Sequence, residues 1–172
     1  MNQAPVKEAP VKDAPASESA GVRTRAEDLQ LLEWLMEQFR PEEELQWQID
    51  VDEVNSGWHD LEHVGRISEL VHRLGDGDWL VIQTKHQGIG GRYAQTMSAG
   101  ETYHVEVAVY REDGVHNFRM GYGEDSARRG NIPYTMPEED QFLGIESTID
   151  VLSAWARGGT FLPGYGAALH IY

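Results

Sequence analysis

Cysteine is absent from the 172 residues. That excludes disulfides, thiolate nucleophiles and Cys-ligated zinc or iron–sulfur sites. Basic residues are scarce: Lys and Arg total 14 against 29 Asp and Glu, for a formal charge of -15. A field of that sign repels phosphate backbones and anionic bilayers, so neither direct nucleic-acid binding nor membrane docking is expected. No apolar run approaches the roughly 20 residues that span a bilayer, and residues 1–22 carry no apolar stretch of the signal-peptide kind. A cytoplasmic location is the expectation. What is present, 40% hydrophobic and 25% charged residues, is the composition of a globular domain.

Residues 1–22 repeat an Ala-Pro-Val-Lys-acid unit, with Pro5, Pro10 and Pro15 at a period of five. Little in this segment is able to bury, and it reads as a disordered Pro/Ala-rich arm. Residues 23–172 then form one α+β domain. Thr24-Arg25-Ala26-Glu27 has the capping-box form, followed by Leu29, Leu32, Met36 and Phe39 at helical spacing up to Pro41. Trp47, Ile49 and Val51 alternate with polar residues as in a half-buried strand. A second helix is predicted from about Trp58 to Leu74, with Leu61, Val64, Ile67 and Val71 on its core face. The period then becomes two through Trp79–Thr84, Tyr93–Met97 and Tyr103–Tyr110, and Glu112-Asp113-Gly114 marks a hairpin. Within the third of these strands Tyr103, Val105, Val107 and Val109 face one way and His104, Glu106, Ala108 and Tyr110 the other. A third helix places Phe142, Ile145, Ile149, Leu152 and Ala156 on one stripe until Gly158, and residues 167–172 form a last strand. The expected architecture is an antiparallel sheet of about five or six strands with three helices packed on it.

His59-Asp60-Leu61-Glu62-His63 matches H-x-x-E-H. Two His one helical turn apart share a face and are able to ligate zinc. Glu62 would then serve as general base, and Glu139 or its neighbour Glu138 as third ligand. The competing reading is a solvated His pair opposite the buried face, with no cofactor. The string Trp58-His59-Asp60-Leu61-Glu62-His63-Val64 also resembles the opening of metal-dependent phosphohydrolases of the HD superfamily. That resemblance covers seven residues and ends where the chain turns to strands.

Three acidic runs stand at element ends: Glu42-Glu43-Glu44, then Asp50 with Asp52 and Glu53, then Glu138-Glu139-Asp140. They serve either solubility and helix termini or the steering of a cationic partner. An exposed residue among Trp47, Trp58, Trp79 and Trp155 would be an interface anchor.

Residues 100–172 run from Tyr103-His104-Val105-Glu106-Val107 through Met136-Pro137-Glu138-Glu139 to a helix ending Ala154-Trp155-Ala156-Arg157-Gly158-Gly159, then a Pro-containing turn and a strand. This pattern resembles the small acidic immunity proteins of bacterial polymorphic toxin systems, the Imm1-like group especially. The resemblance implies a non-catalytic protein that occludes a toxin, and it assigns no binding residues. The expected function is therefore an acidic inhibitor of a basic protein partner such as a toxin or nuclease. The alternative is a metal-dependent hydrolase built on residues 59–63.

Overall fold

Thr24 and Glu27 satisfy each other's backbone amides at the start of helix α1, Arg25–Met36. The computed structural model describes residues 23–39, 44–86, 88–123 and 137–172, so the arm at 1–22 and the acids Glu42 and Glu43 lie outside the described residues. Strands β1 (Leu45–Val51), β2 (Val54–Asn55) and β3 (His59–Asp60) follow. A short helix α2 (Arg66–Val71) leads to strands β4 (Trp79–Thr84), β5 (Arg92–Ala99), β6 (Thr102–Arg111) and β7 (Gly114–Tyr122). After a 3-10 turn at Glu139–Gln141 come β8 (Phe142–Leu143), helix α3 (Ile145–Arg157) and β9 (Tyr165–Ile171).

The strands form one antiparallel sheet in the order β2-β1-β4-β5-β6-β7-β9, with β3 added to β1 and β8 to β6. Among the described residues the α+β class and the three helices are as expected, but the sheet has nine strands rather than five or six. The additional ones, β2, β3 and β8, are two residues long. A two-residue strand has no periodicity to read. It exists because a long neighbour offers backbone partners, as β1 does to His59 and Asp60.

Register sorts the side chains onto two faces. Trp47 stands across from Ile82, Ile82 from Ala94, Ala94 from Val107, Val107 from Phe118, and Phe118 from Leu169. This face meets Leu32 and Met36 of α1, Ile67 and Leu70 of α2, and Leu152 and Trp155 of α3 in a single hydrophobic core. The other face, with Val81, Ala108 and Ala168, contributes nothing to that core.

Two buried arginines tie helices to the sheet. Arg92 sits with its guanidinium 4.0 Å from the Phe39 ring centre and 4.3 Å from that of Trp155. Its Nη1 donates at 2.9 Å to the Trp155 carbonyl in the last turn of α3, an oxygen that also accepts from the Gly158 amide. Arg25, 1% exposed, donates to Glu138, Asp140 and the Tyr122 carbonyl. A Cβ at position 166 would meet the Gly123 carbonyl and stand 2.9 Å from Arg25 Cβ. Glycine there lets α1 descend onto β9, where the Asp28 carboxylate accepts from the Leu169 amide at 3.0 Å. That bond occupies one amide on the free edge of β9. No helix among the described residues is long and apolar enough to cross a membrane.

Candidate functional site

The pairs Val51–Val54 and Asp50–Asn55 leave a two-residue loop at Asp52-Glu53. Both residues have positive φ, 52° and 63°, the conformation for which hairpins usually recruit Asn-Gly. Holding two β-carbon-bearing residues there costs about 1–2 kcal/mol each. The loop is braced from below by Asp78. Its Oδ1 accepts from the Asp52 amide at 3.0 Å and its Oδ2 from the Gly75 amide at 2.7 Å.

Beyond β2 the chain leaves β1 and returns as β3. Ser56 marks the departure: its hydroxyl accepts from the Ile49 amide at 3.1 Å and donates to the Gly57 carbonyl at 2.8 Å. The excursion turns Trp58 outward. Asp52, Glu53, Val54, Trp58 and Glu62 are all exposed along one edge of the sheet, Val54 at 70% and Trp58 at 45%. Trp47 is buried, Trp155 fully so, and Trp34 and Trp79 half-buried, so Trp58 is the outward tryptophan.

The helix expected from Trp58 is corrected by the structure: α2 begins at Arg66, after Gly65. Pairing with β1 requires His59 and Asp60 to be extended, and Gly57 has a φ of 71°. His59 and His63 therefore do not share a helical face. The His59 ring stacks on Trp47, with centres 4.6 Å apart, and its Nε2 donates to the Ser56 carbonyl at 3.0 Å. Arg66 lies 5.7 Å from the same indole and pairs with Glu69. A cavity of about 580 Å³ opens between Trp47, Trp58, Arg66 and the residues His59, Asp60, Glu62 and His63. Among the described residues no group of three or more His, Asp or Glu is placed to hold a metal ion.

Among the described residues the acidic runs do not converge on one patch. Glu44 pairs with Lys85 at 3.2 Å, and Lys85 also reaches Asp60 at 2.9 Å. The hydrogen bonds to Asp60 and Glu44 raise the Lys85 pKa. Asp50 is half-buried beside the Asp52-Glu53 tip. Glu138 and Asp140 have an internal partner in Arg25, while Glu139 is exposed. They sit by β7, several strands from β1.

A second polar feature lies on the coreless face. Glu106 Oε1 accepts from Arg119 Nε and Nη2 at 3.3 and 3.2 Å, and its Oε2 accepts from Gln95 at 2.9 Å and Asn117 at 3.1 Å. His104 Nε2 is 3.3 Å from the same carboxylate. Burial alone pushes the Glu106 carboxyl up. The hydrogen bond and charge of His104, with the amides of Gln95 and Asn117, outweigh it and hold the group at about 2. Tyr93, whose hydroxyl is 3.4 Å from Asn117 Nδ2, is pushed above the usual phenol range by its burial. This network escaped the sequence reading because Arg119 meets Glu106 only through the register of the β6–β7 hairpin. The signal that was available is the outward alternation of His104 and Glu106.

No family model, no curated protein and no solved structure matches this chain.

Proposed function

We propose that the chain is a non-catalytic acidic binding protein of the immunity or inhibitor type, which occludes a basic protein partner such as a toxin. The observation that carries the reading is the edge at β2 and β3: Asp52 and Glu53 on a raised tip, with Val54 at 70% and Trp58 at 45% exposure next to them. Carboxylates steer a cationic surface, and a desolvated indole supplies the contact energy that exposed charges alone do not. The 29 acids against 14 basic residues add a long-range field of the same sign. The Asp78 carboxylate holds the Asp52 amide at 3.0 Å, which limits the freedom this tip loses on binding.

The test is capture of partners from the native cell with tagged protein at about 50 and about 300 mM salt. A basic protein held at low salt and released at high salt is the expected result. Its retention should fall at least about tenfold in the Trp58→Ala protein and in the Asp52→Asn, Glu53→Gln double variant. Capture that neither salt nor these variants weaken would remove the edge from the binding site.

A further inference from the structure

Three adjacent strands, β1, β4 and β5, turn Gln48, Trp79, Val81, Tyr93, Gln95 and Met97 to the face that has no part in the hydrophobic core. Asp50, at one corner, is the only charged residue those strands present on this side. Trp79 and Met97 stand directly opposite one another in register, and Met97 is 45% exposed. An indole beside a thioether forms an adaptable apolar contact surface. Depletion of charge with enrichment of aromatics and Met is the composition of an interface centre, whereas a solvated sheet face ordinarily carries Lys, Glu or Thr.

We infer that this face packs against the same face of a second copy of the chain. The argument is electrostatic. At a charge of -15, two copies repel wherever acidic surfaces meet. A neutral patch allows approach without juxtaposed like charges. A basic partner gains nothing from it, since its attraction is to the acidic edge. A two-fold axis makes the contact self-complementary, as a symmetric dimer requires, and two antiparallel sheets stack face to face about 10 Å apart. With strands about 4.8 Å apart and outward positions about 7 Å apart along each, the patch projects about 300 Å² per copy. That is below the roughly 800 Å² per partner of a stable complex, so the dimer is weak and reversible. Setting the basic partner aside rests on the proposed function, whereas the mass of the free chain reports self-association whether or not that function holds.

Sedimentation equilibrium tests it on the full chain from about 10 µM to about 1 mM protein, at about 50 and 500 mM salt. The average mass is expected to climb from 19.4 kDa towards twice that value, further at the higher salt, because screening relieves the repulsion between the copies. Met97→Glu and Gln48→Glu, each checked for folding by circular dichroism, should weaken association at least about tenfold. Leu162→Glu, which places the same charge at a 58% exposed site in the loop before β9, should not. A mass of 19.4 kDa under every condition overturns the inference and leaves the face to another occupant, the basic partner included. Association that weakens with salt, or that survives both charge insertions unchanged, overturns it too.

Discussion

Glu106 on β6 stands directly across from Arg119 on β7, and its carboxylate accepts from both Nε and Nη2 of that guanidinium. Both side chains are nearly buried, although they sit on the side of the sheet away from the core. Side chains packed around an ion pair exclude water from it, which makes removal of one partner far more costly than at an exposed pair.

The first prediction concerns the same carboxylate, which His104, Gln95 and Asn117 also contact and hold ionised. The Glu106 pKa is lowered to about 2 from an ordinary 4.5. A depressed carboxyl contributes stability that is fully present above the unfolded-state value and is lost as pH falls through the folded-state value. Glu106→Gln should therefore lose about 2–4 kcal/mol at pH 7. The gap between the two proteins should close progressively from about pH 4.5 to about pH 2. Urea unfolding midpoints across that range decide the matter; two parallel curves would mean the carboxylate is not ionised by these contacts.

Arg92 gives the second. Its planar guanidinium fits between the Phe39 and Trp155 rings while reaching the Trp155 carbonyl. An ammonium has the charge but not the plane. Arg92→Lys is expected to cost about 1–2 kcal/mol and Arg92→Ala about 3 kcal/mol, read as denaturant midpoints. Equal stability in the lysine variant would show that only the charge matters.

The third concerns Arg25. Arg25→Met keeps most of the packing but leaves Glu138 and Asp140 facing each other across the vacated position, and should cost about 2–4 kcal/mol. Asp140→Asn leaves the bond to Glu138 and should cost about 1 kcal/mol. Thermal melts of the two variants should differ clearly, and an equal loss would contradict this division of labour.

The hairpin supplies a fourth, in which stability and binding move in opposite directions. Replacing Asp52-Glu53 by Asn-Gly places residues that favour positive φ where φ is 52° and 63°. The melting temperature should rise by several degrees, for about 1 kcal/mol gained. Partner capture should fall as the two charges go. A variant that gains stability and binds as before would separate the strained tip from recognition.

Much of the architecture was legible because local chemistry and tertiary packing agree. The Thr24–Glu27 capping box and the left-handed Gly158 at the end of α3 lie where the residues placed them. The segment 58–74 shows where agreement fails. Leu61, Val64 and Ile67 do pack towards the core, so their spacing correctly reports burial. The backbone that delivers Leu61 is not helical, because β1 had a free edge that His59 and Asp60 could join. Periodicity reads which side chains are inside, and a competing strand partner decides the backbone.

The candidate site was legible in part for a related reason. Exposure of Trp58 depends on a two-strand excursion that no local pattern encodes. The Glu106–Arg119 pair requires the β6–β7 loop to be Glu112-Asp113 alone, with Arg111 opposite Gly114. Counting Gly114 into the turn shifts the register by one residue and sends Arg119 to the other face.

The bond from the Leu169 amide to Asp28 joins residues 141 positions apart in the chain. Helix α1 is made well before the strand it docks on, β9. At about 5–20 residues per second, α1 waits roughly ten to thirty seconds on the ribosome with Leu32, Leu35 and Met36 uncovered. During that interval the nascent chain holds an apolar helix face that only the later arrival of β9 covers, so the longest-range contact of the fold is also one of its last to form.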